Sequence, residues 1–157
     1  MRAIALLYFV SHIPITLLID GQALLPPSYF PSWAKQSLQW YISLSNDPLM
    51  SKARTSKEFA WFRGLIAIEL TFQLPLFFAL TYGFYARAQS TWVHVVNIIY
   101  AVHVMTTMVP IFASLAGWDR MDLVPVYAPY LLVPFYLALQ SMRVIRQKLV
   151  KSNSKKE

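Results

Sequence analysis

The sequence contains no cysteine. That excludes a disulfide scaffold and removes thiolates from any metal or redox chemistry. Charge is scarce as well: only 13% of the 157 residues are charged, against 57% hydrophobic, and mean hydropathy is +0.44. Soluble domains carry about 25% charged residues, and a chain this short cannot hide so much apolar surface from water. A soluble monomer is excluded, and so is a disordered chain, which needs low hydrophobicity. Glycine is rare, and Gly21, Gly64, Gly83 and Gly117 all sit near expected helix ends. There is no HExxH, no phosphate-binding loop and no glycine-rich dinucleotide turn. His94 and His103 are nine residues apart and do not make a helical metal pair. A basic surface interleaved with aromatics, which a nucleic-acid binder needs, is missing outside the C-terminal tail.

Long apolar runs are what the chain does have. A bilayer-spanning helix needs about 20 mostly apolar residues, and the stretches 3–24, 61–85, 91–116 and 123–142 qualify. No internal repeat and no Gly/Ser-rich linker divides them. The expectation is an all-α membrane protein, one domain over 1–157, built as a four-transmembrane-helix bundle. The first run lacks a small-residue cleavage site and carries His12 and Asp20, so it reads as a retained helix rather than a signal peptide. Trp33, Trp40, Trp61, Trp92 and Trp118 all avoid span centres, as expected of rings that prefer the headgroup region. Pro14, Pro75, Pro110, Pro129 and Pro134 lie within spans, so kinked helices are expected. Such kinks either open an intramembrane pocket or serve packing.

Four spans put both termini on one side. That side carries Arg2, Arg87 and the six cations of the basic tail 143–157. The other carries Lys35, Lys52, Arg54, Lys57, Arg63 and Arg120. The positive-inside rule places the termini in the cytoplasm, with the tail as an anchor at an anionic leaflet. In the long first loop, Trp33, Leu38, Tyr41 and Leu44 recur at helical spacing, which predicts a short interfacial helix over 32–44. Ser45-Asn46-Asp47-Pro48-Leu49 is a helix-start pattern with Asp47 as the N-cap. Glu58, Asp119, Asp122 and Glu157 read as solvated.

The spans also carry polar stripes. His12, Thr16 and Asp20 recur every four residues on the first, Glu69 and Gln73 are four apart on the second, and Tyr100, His103 and Thr107 follow on the third. Tyr127, Tyr130 and Pro134 mark the fourth. For the threonines and tyrosines, interhelical hydrogen bonding suffices, and for His12 and His103 a structural role does. A carboxylate at the centre of a membrane helix costs about 2.5–3.5 kcal/mol on insertion scales, which makes Asp20 and Glu69 candidates for function. If they are neighbours, like charges disfavour double ionisation and the pair shares a proton. The anion then suits a hydrophobic amine, with cation–π help from aromatic faces. The same pocket suits the hydroxyl end of a sterol.

Several blocks resemble a known family. Leu6-Leu7-Tyr8-Phe9, then Ser11-His12-Ile13-Pro14-Ile15-Thr16-Leu17 and Asp20, is similar to the opening helix of the transmembrane protein 97 family, which includes the sigma-two receptor. Asn46-Asp47-Pro48-Leu49, Trp61-Phe62, the block from Glu69 to Pro75, the block from Ile99 to Thr107 and the block from Val126 to Leu132 follow its remaining motifs in order. The loop between the third and fourth spans is shorter here than in vertebrate members. These proteins are grouped with the EXPERA-domain membrane proteins, beside the emopamil-binding sterol isomerase. The resemblance implies a multi-pass protein of the endoplasmic reticulum membrane, often dimeric, with cytoplasmic termini. It also implies binding of sterols and cationic amphiphiles, a part in cholesterol homeostasis, and a sterol-transporter partner. By motif, Asp20 would be the amine-binding carboxylate, Glu69 its protonated partner and Asp47 a second acid required for binding. His12, Gln73, Thr107, Tyr127 and Tyr130 would line the pocket. No cofactor and no metal is implied. Two other readings stay open: a factor handling mitochondrial precursors at the reticulum surface, as tied to fungal relatives, and a sterol isomerase with Asp20 and Glu69 as acid and base. The end Lys155-Lys156-Glu157 is similar to a dilysine retrieval signal, without the usual spacing.

Overall fold

The structure is a computed structural model that describes residues 1–154. It is 86% helical, without a strand among the described residues. The helices are α1 (Arg2–Leu18), α2 (Ser32–Ser45), α3 (Pro48–Lys52), α4 (Ala60–Ile68), α5 (Leu74–Ala86), α6 (Thr91–Gly117) and α7 (Val124–Asn153). A π turn, Glu69–Gln73, joins α4 to α5, and 3-10 turns cover Asp20–Ala23, Pro27–Tyr29, Lys57–Phe59 and Met121–Leu123. Four segments are long and apolar enough to cross a membrane: Arg2–Ala23, Lys57–Ala86, Thr91–Gly117 and Met121–Asn153. The chain is a multi-pass, all-α membrane protein. In lipid every backbone donor needs an internal partner, and helices satisfy that within one segment.

The fourth helix differs from the expectation at its end. It does not stop at Met142 but runs on to Asn153, so most of the basic tail is helix. Arg, Gln, Lys and Leu are good helix formers, and no Gly or Pro interrupts the run. Lys155, Lys156 and Glu157 lie outside the described residues.

The chain forms two compact units, 1–9 with 78–157, and 10–77. In the first, α6 packs along α7. Phe9 stacks on Phe84 with ring centroids 6.1 Å apart and meets Tyr100 edge-on at 5.2 Å. The Tyr8 and Tyr100 hydroxyls share a hydrogen bond of 2.9 Å. A polar knot that sequence patterning did not single out ties α6 to α7. His94, Asn97 and Ser141 are all fully buried. The Ser141 hydroxyl lies 3.1 Å from His94 Nδ1 and accepts from Asn97 Nδ2 at 3.0 Å, while His94 Nε2 lies 3.0 Å from the Ala88 carbonyl. These contacts fit a neutral imidazole with its proton on Nε2.

Apolar side chains such as Leu7, Val109 and Leu132 are 75%, 65% and 59% exposed. In water that would be a liability; here they are the lipid-facing surface. Lipid tails are as apolar as the side chains, so helix association rests on close fit and hydrogen bonds rather than on the hydrophobic effect.

In the second unit, α2 turns two faces. Ala34 and Leu38 are buried, whereas Trp33, Trp40 and Leu44 are exposed. The helix forms where expected, but Trp33 and Leu44 do not share the face of Leu38. At 100° per residue, Trp33, Trp40 and Leu44 fall together, and Ala34, Leu38 and Tyr41 fall on a neighbouring face, roughly 110° around the helix. Both faces are apolar because one packs on protein and the other suits the headgroup region.

The glycines give a matched test of close packing. A Cβ on Gly83 would lie 2.9 Å from Val93 and 3.0 Å from Trp92, whereas a Cβ on Gly64 meets nothing within 4 Å. We expect Gly83→Ala to cost about 1–3 kcal/mol by overpacking. Gly64→Ala should be neutral or stabilise by about 0.5–1 kcal/mol through helix propensity. Thermal unfolding of both variants in the same detergent checks the pair.

Candidate functional site

The second unit gathers the polar groups of the first two spans. Helix α1 ends at Leu18, and the chain tightens into the 3-10 turn that begins with Asp20. The orphan carbonyl of Leu18 is taken up by the Gln22 side chain, which donates to it at 2.6 Å and to Ala34 O at 3.1 Å. Gly21 is buried, and a Cβ there would sit 3.3 Å from Thr16 O and 3.5 Å from the Phe30 ring. The turn packs against α4.

Glu69 opens the π turn. There the Leu74 N–H reaches back five residues to the Glu69 carbonyl. Pro75 explains the widening: its ring has no N–H for Thr71 O and clashes with that carbonyl in a regular α-turn. The Thr71 hydroxyl donates to Ala67 O at 2.7 Å. π turns recur at functional sites, and this one starts on a carboxyl group.

Thr16, on α1, donates its hydroxyl to Glu69 Oε1 at 2.5 Å. Thr16 is fully buried, and Asp20 and Glu69 are half-buried. Asp20 lies one turn beyond Thr16, within electrostatic reach of Glu69. The two acids interact electrostatically, and Thr16 is the hydroxyl partner of Glu69. His12 and Gln73 are also buried, and the His12 ring meets Phe77 edge-on at 5.7 Å. The His12–Thr16–Asp20 stripe anticipated this side of the cluster. Thr16 entered it as one more hydrogen-bonding threonine, since nothing in the sequence pairs it with Glu69.

Asp47 is fully buried and serves as the N-cap of α3. Its Oδ1 accepts from Leu49 N at 2.8 Å, and its Oδ2 accepts from the Tyr41 hydroxyl at 2.7 Å. The left-handed Asn46, at φ 48°, turns the chain between α2 and α3. The cap was legible in the Asp-Pro pair; the Tyr41 bond was not. Arg63 adds a second brace, donating to Ala53 O at 2.5 Å and Ser56 O at 2.8 Å.

Thr107, Tyr127 and Tyr130 belong to the other unit. Thr107 donates to Val104 O within its own helix at 2.8 Å. Tyr127 and Tyr130 are half-buried on α7. Of the acids expected to be solvated, Glu58, Asp119 and Asp122 are exposed, and Asp122 is held by the Arg120 guanidinium in a fork at 2.8 and 2.9 Å. No group of three or more potential metal ligands occurs among the described residues.

Fold and site together define a multi-pass helical membrane protein with paired carboxyl groups inside its spans. Residues 33–141 match EXPERA, the expanded EBP superfamily, and the chain belongs to that family. It is 39% identical to human sigma intracellular receptor 2 over 96% of this chain and 92% of that one. The counterpart from Xenopus tropicalis is 38% identical over 84% of this chain and 82% of its own. The efficient mitochondria targeting-associated protein 19 of Schizosaccharomyces pombe is 28% identical over 84% of this chain and 69% of its own.

Two variants separate cap from contact at Asp47. Asp47→Ala removes the cap, worth about 1 kcal/mol, and strands the Tyr41 hydroxyl at about 1–3 kcal/mol more. Tyr41→Phe should cost only about 1 kcal/mol. Unfolding midpoints of both single variants and the double variant give the coupling, and a coupling near zero contradicts the Tyr41–Asp47 bond.

Proposed function

We propose that this protein is a non-enzymatic receptor for sterols and hydrophobic amines, taken up at the Asp20–Glu69 pair from within the bilayer. The observation that carries the reading is the cluster itself: two neighbouring carboxyl groups in apolar spans, with a threonine hydroxyl on one of them. Asp20 supplies the carboxylate for an ammonium group. Glu69, held by Thr16, donates to that carboxylate and keeps it oriented. His12, Gln73 and the Phe77 ring offer a mixed polar and aromatic lining. Aromatic faces attract a cation, by about 2 kcal/mol where water is excluded. A sterol hydroxyl meets the same carboxyl oxygens by ordinary hydrogen bonds. The likeness to proteins named as intracellular receptors supports a binding role over catalysis. In this reading the protein sits in the endoplasmic reticulum membrane with both termini cytoplasmic, forms homodimers, and hands sterols to a transporter partner.

A second reading has its own support in the likeness to fungal proteins named for mitochondrial targeting. There the chain acts on precursor proteins at the reticulum surface, and the acids only hold the helices together. A sterol isomerase using Asp20 and Glu69 as acid and base rests on family kinship alone.

Equilibrium binding of a labelled hydrophobic amine and a labelled sterol to purified protein decides between these. Removing one member of a buried charged pair costs about 2–5 kcal/mol, so Asp20→Asn should weaken the amine about thirtyfold or more. The sterol, which offers only a hydroxyl, should lose about tenfold. Competition between the two ligands is expected. Unchanged amine binding by folded Asp20→Asn protein would falsify the receptor reading. Full cellular activity of an Asp20→Asn/Glu69→Gln variant would favour the precursor-handling reading.

A further inference from the structure

Helix α7 is 30 residues long, about 45 Å at 1.5 Å per residue, while the hydrocarbon core of a bilayer is about 30 Å thick. Its last turns therefore stand in the headgroup region as helix. There Arg143, Arg146, Gln147, Val150 and Lys151 form a stripe at i, i+3, i+4, i+7 and i+8, and line a groove of about 410 Å³. All five are exposed. The side chains of Arg143, Arg146 and Lys151 make no ion pair or hydrogen bond among the described residues, and no acid lies between 143 and 154.

The stripe is held in one orientation. Lys148 lies on another side of the same helix and donates to the Gln89 carbonyl and to Thr91 Oγ1, pinning α7 to the loop before α6. Two turns earlier, the Ser141 knot with His94 and Asn97 locks the rotation of α7 against α6. With that side fixed, the two guanidinium groups lie on the side turned away from it, and the Lys151 ammonium flanks them at its edge.

We infer that this stripe is a binding site for the phosphate headgroup of an anionic glycerophospholipid. Two guanidinium forks match phosphate oxygens in pairs. Lys151 adds a third charge and Gln147 a neutral donor, and Val150 offers an apolar floor for the glycerol carbons. The charge complementarity is one-sided, and the position at the end of a span is the depth at which lipid phosphates lie. The site is independent of the Asp20–Glu69 cluster.

The test uses the full-length protein in mixed phosphatidylcholine and phosphatidylserine nanodiscs, with bound lipids counted by native mass spectrometry. One cation near an anionic leaflet is worth about fivefold in affinity, so wild type should retain the serine lipid over the choline lipid by about tenfold or more. About 1 M salt, which cuts the screening length to ~3 Å, should erase that preference. Arg143→Gln/Arg146→Gln/Lys151→Gln, altered only at exposed positions, should melt like wild type and lose it. Lys52→Gln/Lys57→Gln, changed at the other end of the spans, and Asp20→Asn should both keep it. No preference in wild type, or an undiminished one in the triple variant, overturns the site. Inorganic phosphate competing as well as the lipid would make it a free-anion site and overturn the lipid assignment.

Discussion

A carboxyl group inside a membrane span has no water to turn to, so its partners must come from the protein. Much of the second unit answers to that constraint. Thr16 is buried where its hydroxyl meets Glu69. The first span closes into a tight turn at Asp20, and the second opens into a π turn at Glu69. Both of these irregularities fall beside an acid. A regular helix through either position would present the carboxyl group at a fixed angle, whereas an irregular turn lets the side chain reach a partner on a neighbouring segment.

The same economy governs the loop between the first two spans. Among the described residues Asp47 is the only fully buried acid, and both of its oxygens are engaged, one by the α3 backbone and one by Tyr41. Without it α2 and α3 would lose their common anchor, whether or not Asp47 meets a ligand. The first unit handles polarity differently. There the His94–Asn97–Ser141 knot uses neutral groups, so it joins α6 to α7 without a buried charge. One unit thus ties its helices with neutral side chains, and the other keeps two acids together.

Prolines connect the two levels. Pro14, Pro110, Pro129 and Pro134 lie inside regular helices, while Pro75 is the second residue after the π turn. All five were read as kinks. Only Pro75 sits where the missing N–H coincides with a five-residue hydrogen bond, and that placement is what ties it to Glu69.

Composition and period alone determined the class of this protein. Apolar runs longer than a bilayer is thick admit one solution in lipid, because the backbone must satisfy itself locally. The Asp-Pro cap was equally legible, since its hydrogen bond spans two residues, and the four-residue spacing of His12, Thr16 and Asp20 marked one face of one helix. What the sequence could not contain was pairing across segments. That Thr16 meets Glu69, 53 residues away, that Tyr41 reaches around a left-handed Asn46 to Asp47, and that Ser141 closes on His94 all depend on which faces pack together. The outward aromatic face of α2 and the helical continuation into the basic tail belong to the same group: periodicity shows that a stripe exists, and only packing decides whether it meets protein, lipid or headgroup.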